Sequence, residues 1–273
     1  MTSRIVAKQR QPARRVACAV AIAGSDSSGG AGIQADLRTF LALGVHGLSA
    51  ITAITAQNSA HVRSVHRIPQ ADLRKQLETL AAGFEIAAVK IGMLGSKAAI
   101  ETVARFLREH PCPAVLDPVL ISSSGTRLLP ASAVGALRAE LIPLVDVLTP
   151  NLPEAAALLP KGGSATSARA MARELLVLGA RSVLLKGGHA TQDPVCDYFV
   201  NEEHDRVFRH RRLPHSARGT GCTLASAIAA YLAQGKSIPS AVEAAERYLQ
   251  RALRAAYVAD GAGMRLLGPL TRR

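Results

Sequence analysis

Short β-branched and apolar runs alternate along this chain with segments of helical period, and each run stops at polar or glycine-containing residues. The runs are Val16–Ala23, Leu48–Thr55, Ala87–Ile91, Ala114–Leu116, Asp146–Leu148 and Ser182–Leu185. Between them Ile33/Leu37/Phe40/Leu41, Leu73/Leu77/Leu80, Ile100/Val103/Ala104/Leu107 and Met171/Leu175/Leu178 recur at three- and four-residue steps, with Gly83 and Gly179 as candidate C-caps. Consecutive parallel strands require a crossover, and a crossover helix covers one face of the sheet. The pattern therefore predicts an α/β protein with a mostly parallel sheet and helices on both faces. Ligands of such sheets gather beyond the carboxyl ends of the strands. There the six runs end in Gly24-Ser25-Asp26, Ala56-Gln57-Asn58, Lys90-Ile91-Gly92-Met93, Asp117-Pro118-Val119, Thr149-Pro150-Asn151 and Lys186-Gly187-Gly188, which predicts one site assembled from several loops.

Two glycine-rich strand-to-helix turns point to an anion. Arg218-Gly219-Thr220-Gly221-Cys222-Thr223 opens a segment that is small or apolar from Leu224 to Ala233 and stops at Gly235, the signature of a buried helix. Its unpaired N–H groups and dipole favour negative charge, and in such a setting the Cys222 thiol is expected to ionise more readily. Read alone, the same residues describe a buried structural cysteine in a tight turn. The other turn, Ala23 to Gly32, lacks both the Gly-Lys-Ser/Thr ending of a P-loop and the Gly-x-Gly-x-x-Gly spacing of a dinucleotide site.

Composition narrows the function classes. At 273 residues and 48% hydrophobic content the chain suits one large domain, 16–273, preceded by a basic, disordered tail over 1–15. No apolar run spans a bilayer, no signal-peptide pattern is present, and Cys18, Cys112, Cys196 and Cys222 form no C-x-x-C pair. A cytoplasmic protein without membrane partners, disulfides or a zinc motif is expected. The formal charge of +13 raises nucleic-acid binding, but aromatics are only 3% and no recognition motif accompanies the arginines, so attraction of polyphosphate substrates is the simpler account.

Taken together, AGSDSSGGAGIQADL (23–37), TAITAQNS (52–59), KIGM (90–93), LDPV (116–119), TPNLPEA (149–155), KGGH (186–189) and GTGCT (219–223) resemble the hydroxymethylpyrimidine/phosphomethylpyrimidine kinases of thiamine biosynthesis, a branch of the ribokinase-like superfamily. The resemblance spans roughly residues 16 to 258. It implies a three-layer α/β/α sandwich, a homodimer, and ATP- and Mg2+-dependent phosphorylation of 4-amino-5-hydroxymethyl-2-methylpyrimidine and then of its monophosphate. Residue by residue it implies Cys222 as base within the Gly219, Thr220, Gly221 anion cradle, and Gly24, Asp36, Gln57, Met93 and Val119 around the pyrimidine. Lys186, Asn151 and Arg218 would serve ATP, and Glu154 and Asp117 the metal. The chemistry is consistent with those roles: an amide at Gln57 offers a paired donor and acceptor to a ring with an amine, and Glu154 suits a metal held largely through waters. Asp36 falls beside the Ile33/Leu37/Phe40 stripe, a shielded position from which a carboxylate accepts from an amine, although a helix-surface role is open. His189 receives no role.

Two departures from the family pattern stand out. Lysine is common in the loop after Asp-Pro-Val, where this chain has Ile121-Ser122-Ser123-Ser124-Gly125, and Ser216-Ala217-Arg218 replaces a Thr-His pair before Gly219. A pyridoxal/pyridoxine kinase is the neighbouring alternative, because the vitamin B6 ring also carries a hydroxymethyl arm. A catalytically silent ligand-binding regulator on the same fold is the alternative of a different class.

Overall fold

The computed structural model describes residues 15–58, 60–122, 125–160, 167–188, 193–259 and 263–268. The basic segment 1–14, Ser123 and Ser124 of the variant loop, and His189 lie outside the described residues.

All six runs form strands that lie side by side. In chain order the elements are β1 (Cys18–Asp26), α1 (Gly32–Ala42), β2 (His46–Gln57), β3 (Val62–Arg67), α2 (Gln70–Gly83), β4 (Ile86–Ile91), α3 (Lys97–Glu109) and β5 (Ala114–Leu116). An irregular helical stretch that includes α4 (Val134–Ala136) leads to β6 (Val147–Leu148), α5 (Leu152–Leu158), α6 (Ala168–Leu176) and β7 (Val183–Leu185). The hairpin of β8 (Val195–Val200) and β9 (Asp205–His210) follows, then β10 (Ala217–Arg218), α7 (Thr220–Ala233), α8 (Ile238–Arg254), β11 (Tyr257–Val258) and β12 (Arg265–Leu266). The main sheet runs β3-β2-β1-β4-β5-β6-β7-β8-β9, and β10, β12 and β11 form a small second sheet. The six predicted strands pair in parallel, while β3 at one edge and β8 and β9 at the other are antiparallel.

Strand periodicity divides the core. Along β1, Val20 and Ile22 join the layer beneath α2 and α3, whereas Ala19, Ala21 and Ala23 face α1, α7 and α8. The same alternation separates Val89 and Ile91 from Ala88, and Leu116 from Val115, so each face of the sheet carries its own helical layer. Small alanines on the α7 side allow that helix to lie close against the strands. It is buried from Thr223 to Ala230, as an all-round apolar segment requires.

Two local expectations are corrected. Gly83 is the last residue of α2 rather than a left-handed cap, since the chain continues into extended backbone at Phe84, whereas Gly179 does take a positive φ of 98°. Leu41 of the α1 stripe is 79% exposed, so that stripe is narrower than its periodicity implied.

Phe40 of α1 is fully buried in the layer that supports α7. Phe40→Ala is expected to lower unfolding free energy by about 3–5 kcal/mol in urea titration, with the folded baseline spectrum retained.

Candidate active site

A cavity of about 770 Å³ opens at the carboxyl ends of the strands, and every one of the six predicted endings contributes to its wall. Its floor is set by the meeting of the two glycine-rich turns. Gly219, at φ +76°, precedes α7, and a Cβ there would run into the carbonyl oxygen of Gly30. Thr223 donates the first intrahelical bond, to the Gly219 carbonyl at 2.8 Å, so the N–H groups of Thr220, Gly221 and Cys222 belong to the unpaired first turn.

This turn lies directly on an ion pair. Lys186 Nζ, at the end of β7, donates to Asp117 Oδ1, at the end of β5, at 2.6 Å, and a Cβ on Gly221 would sit 3.0 Å from that Nζ and 3.2 Å from Asp117 Oδ2. Beside them Asn151 Oδ1 accepts from the Glu154 amide and Glu154 Oε2 accepts from the Asn151 amide, both at 2.9 Å, a reciprocal cap on α5. Glu154 is buried there. Burial, opposed by Lys186 and reinforced by Asp117, pushes its carboxyl up to about 7.

Another part of the cavity wall is apolar with polar neighbours. Met93 packs with Ala53 and Leu128 against Val119. Its backbone carbonyl accepts from Thr52 Oγ1 at 2.6 Å, and its sulfur would lie 2.9 Å from a Cβ on Gly24, which explains the glycine. Gln57 Oε1 accepts from Thr55 Oγ1 at 3.2 Å, and the Gln57 backbone is tied to Ser27 Oγ through its own amide and carbonyl. Gly24, Gln57, Met93 and Val119 all line the cavity, with Met93 against both Gly24 and Val119.

Asp36 does not. Its carboxylate is fully buried, accepts from Lys90 Nζ at 2.8 Å through each oxygen and from Ser226 Oγ at 2.7 Å, and takes no part in the cavity wall. The helical wheel identified its face but not its depth. It serves as the counter-ion of Lys90, a residue the sequence reading left without a role. A lysine in an otherwise apolar strand is itself the signal, because a cation is fully buried only when paired.

Cys222 is half-buried at the junction. The Gly32 amide hydrogen-bonds its sulfur, and burial pushes the thiol up to about 11 against the pull of Lys90. The expected increase in acidity is therefore corrected: removal from water, with Asp36 and Asp117 adding to it, outweighs Lys90 and the Gly32 amide. Arg218 lines the cavity but is committed to the loop. It donates through Nη1 to the Asn58 carbonyl and through Nη2 to Asp26 Oδ2 at 3.5 Å, while its buried Nε has no partner. Asp26 in turn accepts from the Ser28 and Ala31 amides, each at 2.9 Å, which closes the turn.

The family model described as phosphomethylpyrimidine kinase matches residues 26–265. The chain belongs to the phosphomethylpyrimidine kinase family. Among curated members, the hydroxymethylpyrimidine/phosphomethylpyrimidine kinase of Streptomyces coelicolor is 45% identical over 242 residues, covering 88% of this chain and 90% of that enzyme. The phosphomethylpyrimidine kinase structure from Clostridium difficile superposes with a TM-score of 0.76 at 40% identity, covering 88% of this chain and all of that one. The ADP complex of Bacillus subtilis pyridoxal kinase superposes with a TM-score of 0.84 at 32% identity, covering 93% and 98%. The fold of this phosphomethylpyrimidine kinase family member is therefore the ribokinase-like α/β/α sandwich.

Breaking the buried pair in the core beneath this site should be costly and repairable. Lys90→Met is expected to lose about 3–5 kcal/mol in urea unfolding, whereas Lys90→Met with Asp36→Leu should recover most of it, because the first leaves an unpaired buried charge and the second leaves none.

Proposed function

We propose that this protein transfers the γ-phosphoryl group of ATP to the hydroxymethyl oxygen of 4-amino-5-hydroxymethyl-2-methylpyrimidine, and then a second one to the monophosphate. The observation that carries the reading is a single cavity lined by Gly24, Gln57, Met93 and Val119, the last two in one apolar cluster, and by an anion cradle at Gly219–Cys222 beside Lys186. Phosphoryl transfer asks mainly for position and charge compensation, and both halves are supplied by rigid elements. Lys186 is the point charge for the transferred phosphate, with the Gly219–Cys222 amides as its remaining donors.

Glu154 and Asp117 form a hard-oxygen donor set of the kind Mg2+ uses, and their mutual repulsion on burial is what a divalent ion relieves. Mg2+ bound there supplies charge withdrawal from the phosphate oxygens. In the first transfer the hydroxymethyl oxygen bonds to the γ-phosphorus, the bond from that phosphorus to the β–γ bridging oxygen breaks, ADP leaves with the electron pair, and the hydroxyl proton passes to the Cys222 sulfur. Only the thiolate form of Cys222 can take that proton, so the first transfer draws on the small ionised fraction of a thiol held up to about 11, and a loose transition state, which defers proton loss, asks little strength of that base. In the second transfer the nucleophile is a phosphate oxygen that is already ionised near neutral pH, and no base is needed. The homodimer expected from the resemblance belongs to the same proposal, and sedimentation at assay concentration decides it.

Phosphorylation of pyridoxal is the second reading, favoured by the likeness to the Bacillus subtilis pyridoxal kinase. A mass-resolved assay with Mg-ATP and each of hydroxymethylpyrimidine, its monophosphate and pyridoxal separates them: both pyrimidine products are expected, and product from pyridoxal alone would overturn the assignment. Cys222→Ala is expected to slow the first transfer by about 10²–10⁴-fold and the second far less, with folding intact. Equal losses in both steps would make Cys222 a cradle residue rather than a base.

Glu154→Gln tests the metal end through stability as well as turnover. The folded carboxyl titrates at about 7 and the unfolded one near 4.5, so the folded state holds the extra proton between them. That group's contribution to stability falls as pH rises through this window and stays unfavourable above it. Glu154→Gln should therefore raise unfolding free energy at pH 8 by on the order of 1 kcal/mol, leave it little changed at pH 4, and lower turnover.

A further inference from the structure

Beyond the six strand endings, three titratable side chains from three elements converge. Asp197 stands on β8, His210 closes β9, and Glu246 lies on α8. His210 Nε2 is 2.9 Å from Glu246 Oε2 and 3.9 Å from Asp197 Oδ2, and one ligand atom from each residue falls within 4.8 Å of the others. Asp197 is 6% exposed and Glu246 1%. The second oxygen of Glu246, Oε1, is buried with no hydrogen-bond partner.

An ion pair alone does not account for this cluster. Two buried carboxylates face one imidazole; with both ionised, even a protonated His210 leaves one negative charge within the trio, and burial accordingly raises the proton affinity of both carboxyls. Of the surrounding cations, Lys186 acts on Asp197 and Arg254 opposes a proton on His210, while Arg206, Lys236, Arg247 and Arg251 line the cavity beside His210 and Glu246. The unpaired Oε1 is an acceptor taken from water with nothing in return, at a cost of about 1–3 kcal/mol. A divalent ion answers each point. It balances two carboxylates, leaves the imidazole neutral as a nitrogen ligand, and gives the idle oxygen a partner. Ligand atoms around such an ion at about 2.0–2.2 Å stand roughly 3–4 Å apart, so the 3.9 Å separation already suits it, the 2.9 Å one has to open slightly, and the third, within 4.8 Å, is near that range.

The outer contacts fit as well. Asp197 Oδ1 accepts from the Gly187 amide at 2.6 Å, which orients one carboxylate oxygen and leaves the other directed at His210. Asp197 and His210 line the strand-end cavity, and His210 and Glu246 line a second one of about 970 Å³, so the cluster borders two cavities.

We propose that Asp197, His210 and Glu246 form a site for a divalent transition-metal ion of the Zn2+ or Co2+ type, separate from the oxygen donors Glu154 and Asp117. One nitrogen and two carboxylate ligands with open positions match that class better than Mg2+. The ion joins the β8–β9 hairpin to α8 and, through the Gly187 amide, steadies the residue next to Lys186.

The test uses the full-length protein stripped of metal. On titration with Co2+ one equivalent is expected to bind with d–d absorption, no thiolate charge-transfer band, and displacement by Zn2+. Histidine NMR of the unmodified protein should show His210 as the imidazole most broadened. His210→Ala and Glu246→Gln should each weaken binding by at least about tenfold, and Cys222→Ala and Glu154→Gln should leave it unchanged. Absence of stoichiometric binding, unchanged affinity in His210→Ala and Glu246→Gln, a thiolate band, or broadening of a different histidine would overturn the site.

Discussion

The buried charge on Lys90 is the constraint from which much of this architecture follows. An ammonium taken out of water is tolerated only when its partner is fixed and fully hydrogen-bonded. Here β4 supplies the lysine, α1 supplies Asp36, and α7 supplies Ser226, so one polar cluster locks two helices of the same layer to the centre of the sheet. Burying such a cluster gains little over an apolar core of equal volume. What it achieves is register: α7 can meet the sheet in one azimuth only, with Ser226 on the carboxylate and Cys222 one turn earlier at the cavity. The same positive charge pulls on the Cys222 sulfur, so the residue that secures the packing also acts on the chemistry above it.

Once α7 is placed, the rest of the anion cradle is a matter of clearance. At Gly219 a methyl group would collide with the Gly30 carbonyl, and at Gly221 it would press closely on the Lys186–Asp117 pair. The two glycine-rich turns lie far apart in the chain and are shaped by each other. Neither forms a phosphate-binding motif of known spacing alone, and together they bring the unpaired amides of a helix within reach of a lysine. Arg218 belongs to this interlock more than to any ligand, since its guanidinium bridges Asp26 and the Asn58 carbonyl and so ties β1, β2 and α7 at one corner.

Much of this was legible from residue order alone, for physical reasons. A buried parallel strand is a dense apolar run with a sharp polar end, so the six central strands and their contributions to the cavity could be read directly. Edge strands lack that signature: β3 reads VRSVHR and is largely exposed, and β8 and β9 form a hairpin without a crossover helix to announce them. Asp36 was misjudged because periodicity reports direction and not depth. The acidity of Cys222 was misjudged because helix termini are visible in a sequence whereas desolvation is created only by the fold. Asp197, His210 and Glu246 share no local spacing, so nothing short of the assembled hairpin and α8 brings them together.

The burial of α7 from Thr223 to Ala230 bears on the rhythm of turnover. A helix enclosed by β-strands on one side and α1 and α8 on the other has no free direction in which to tilt, so the cradle at its start is a fixed anvil. Other parts of the cavity wall are less enclosed: Gln57 precedes the largely exposed edge strand β3, and residues 211–216 run outside the sheet. Motions there are slower than bond-making in many enzymes that enclose their substrates. Changes along that outer wall are accordingly where evolution can alter speed without disturbing the floor on which the phosphoryl group is received.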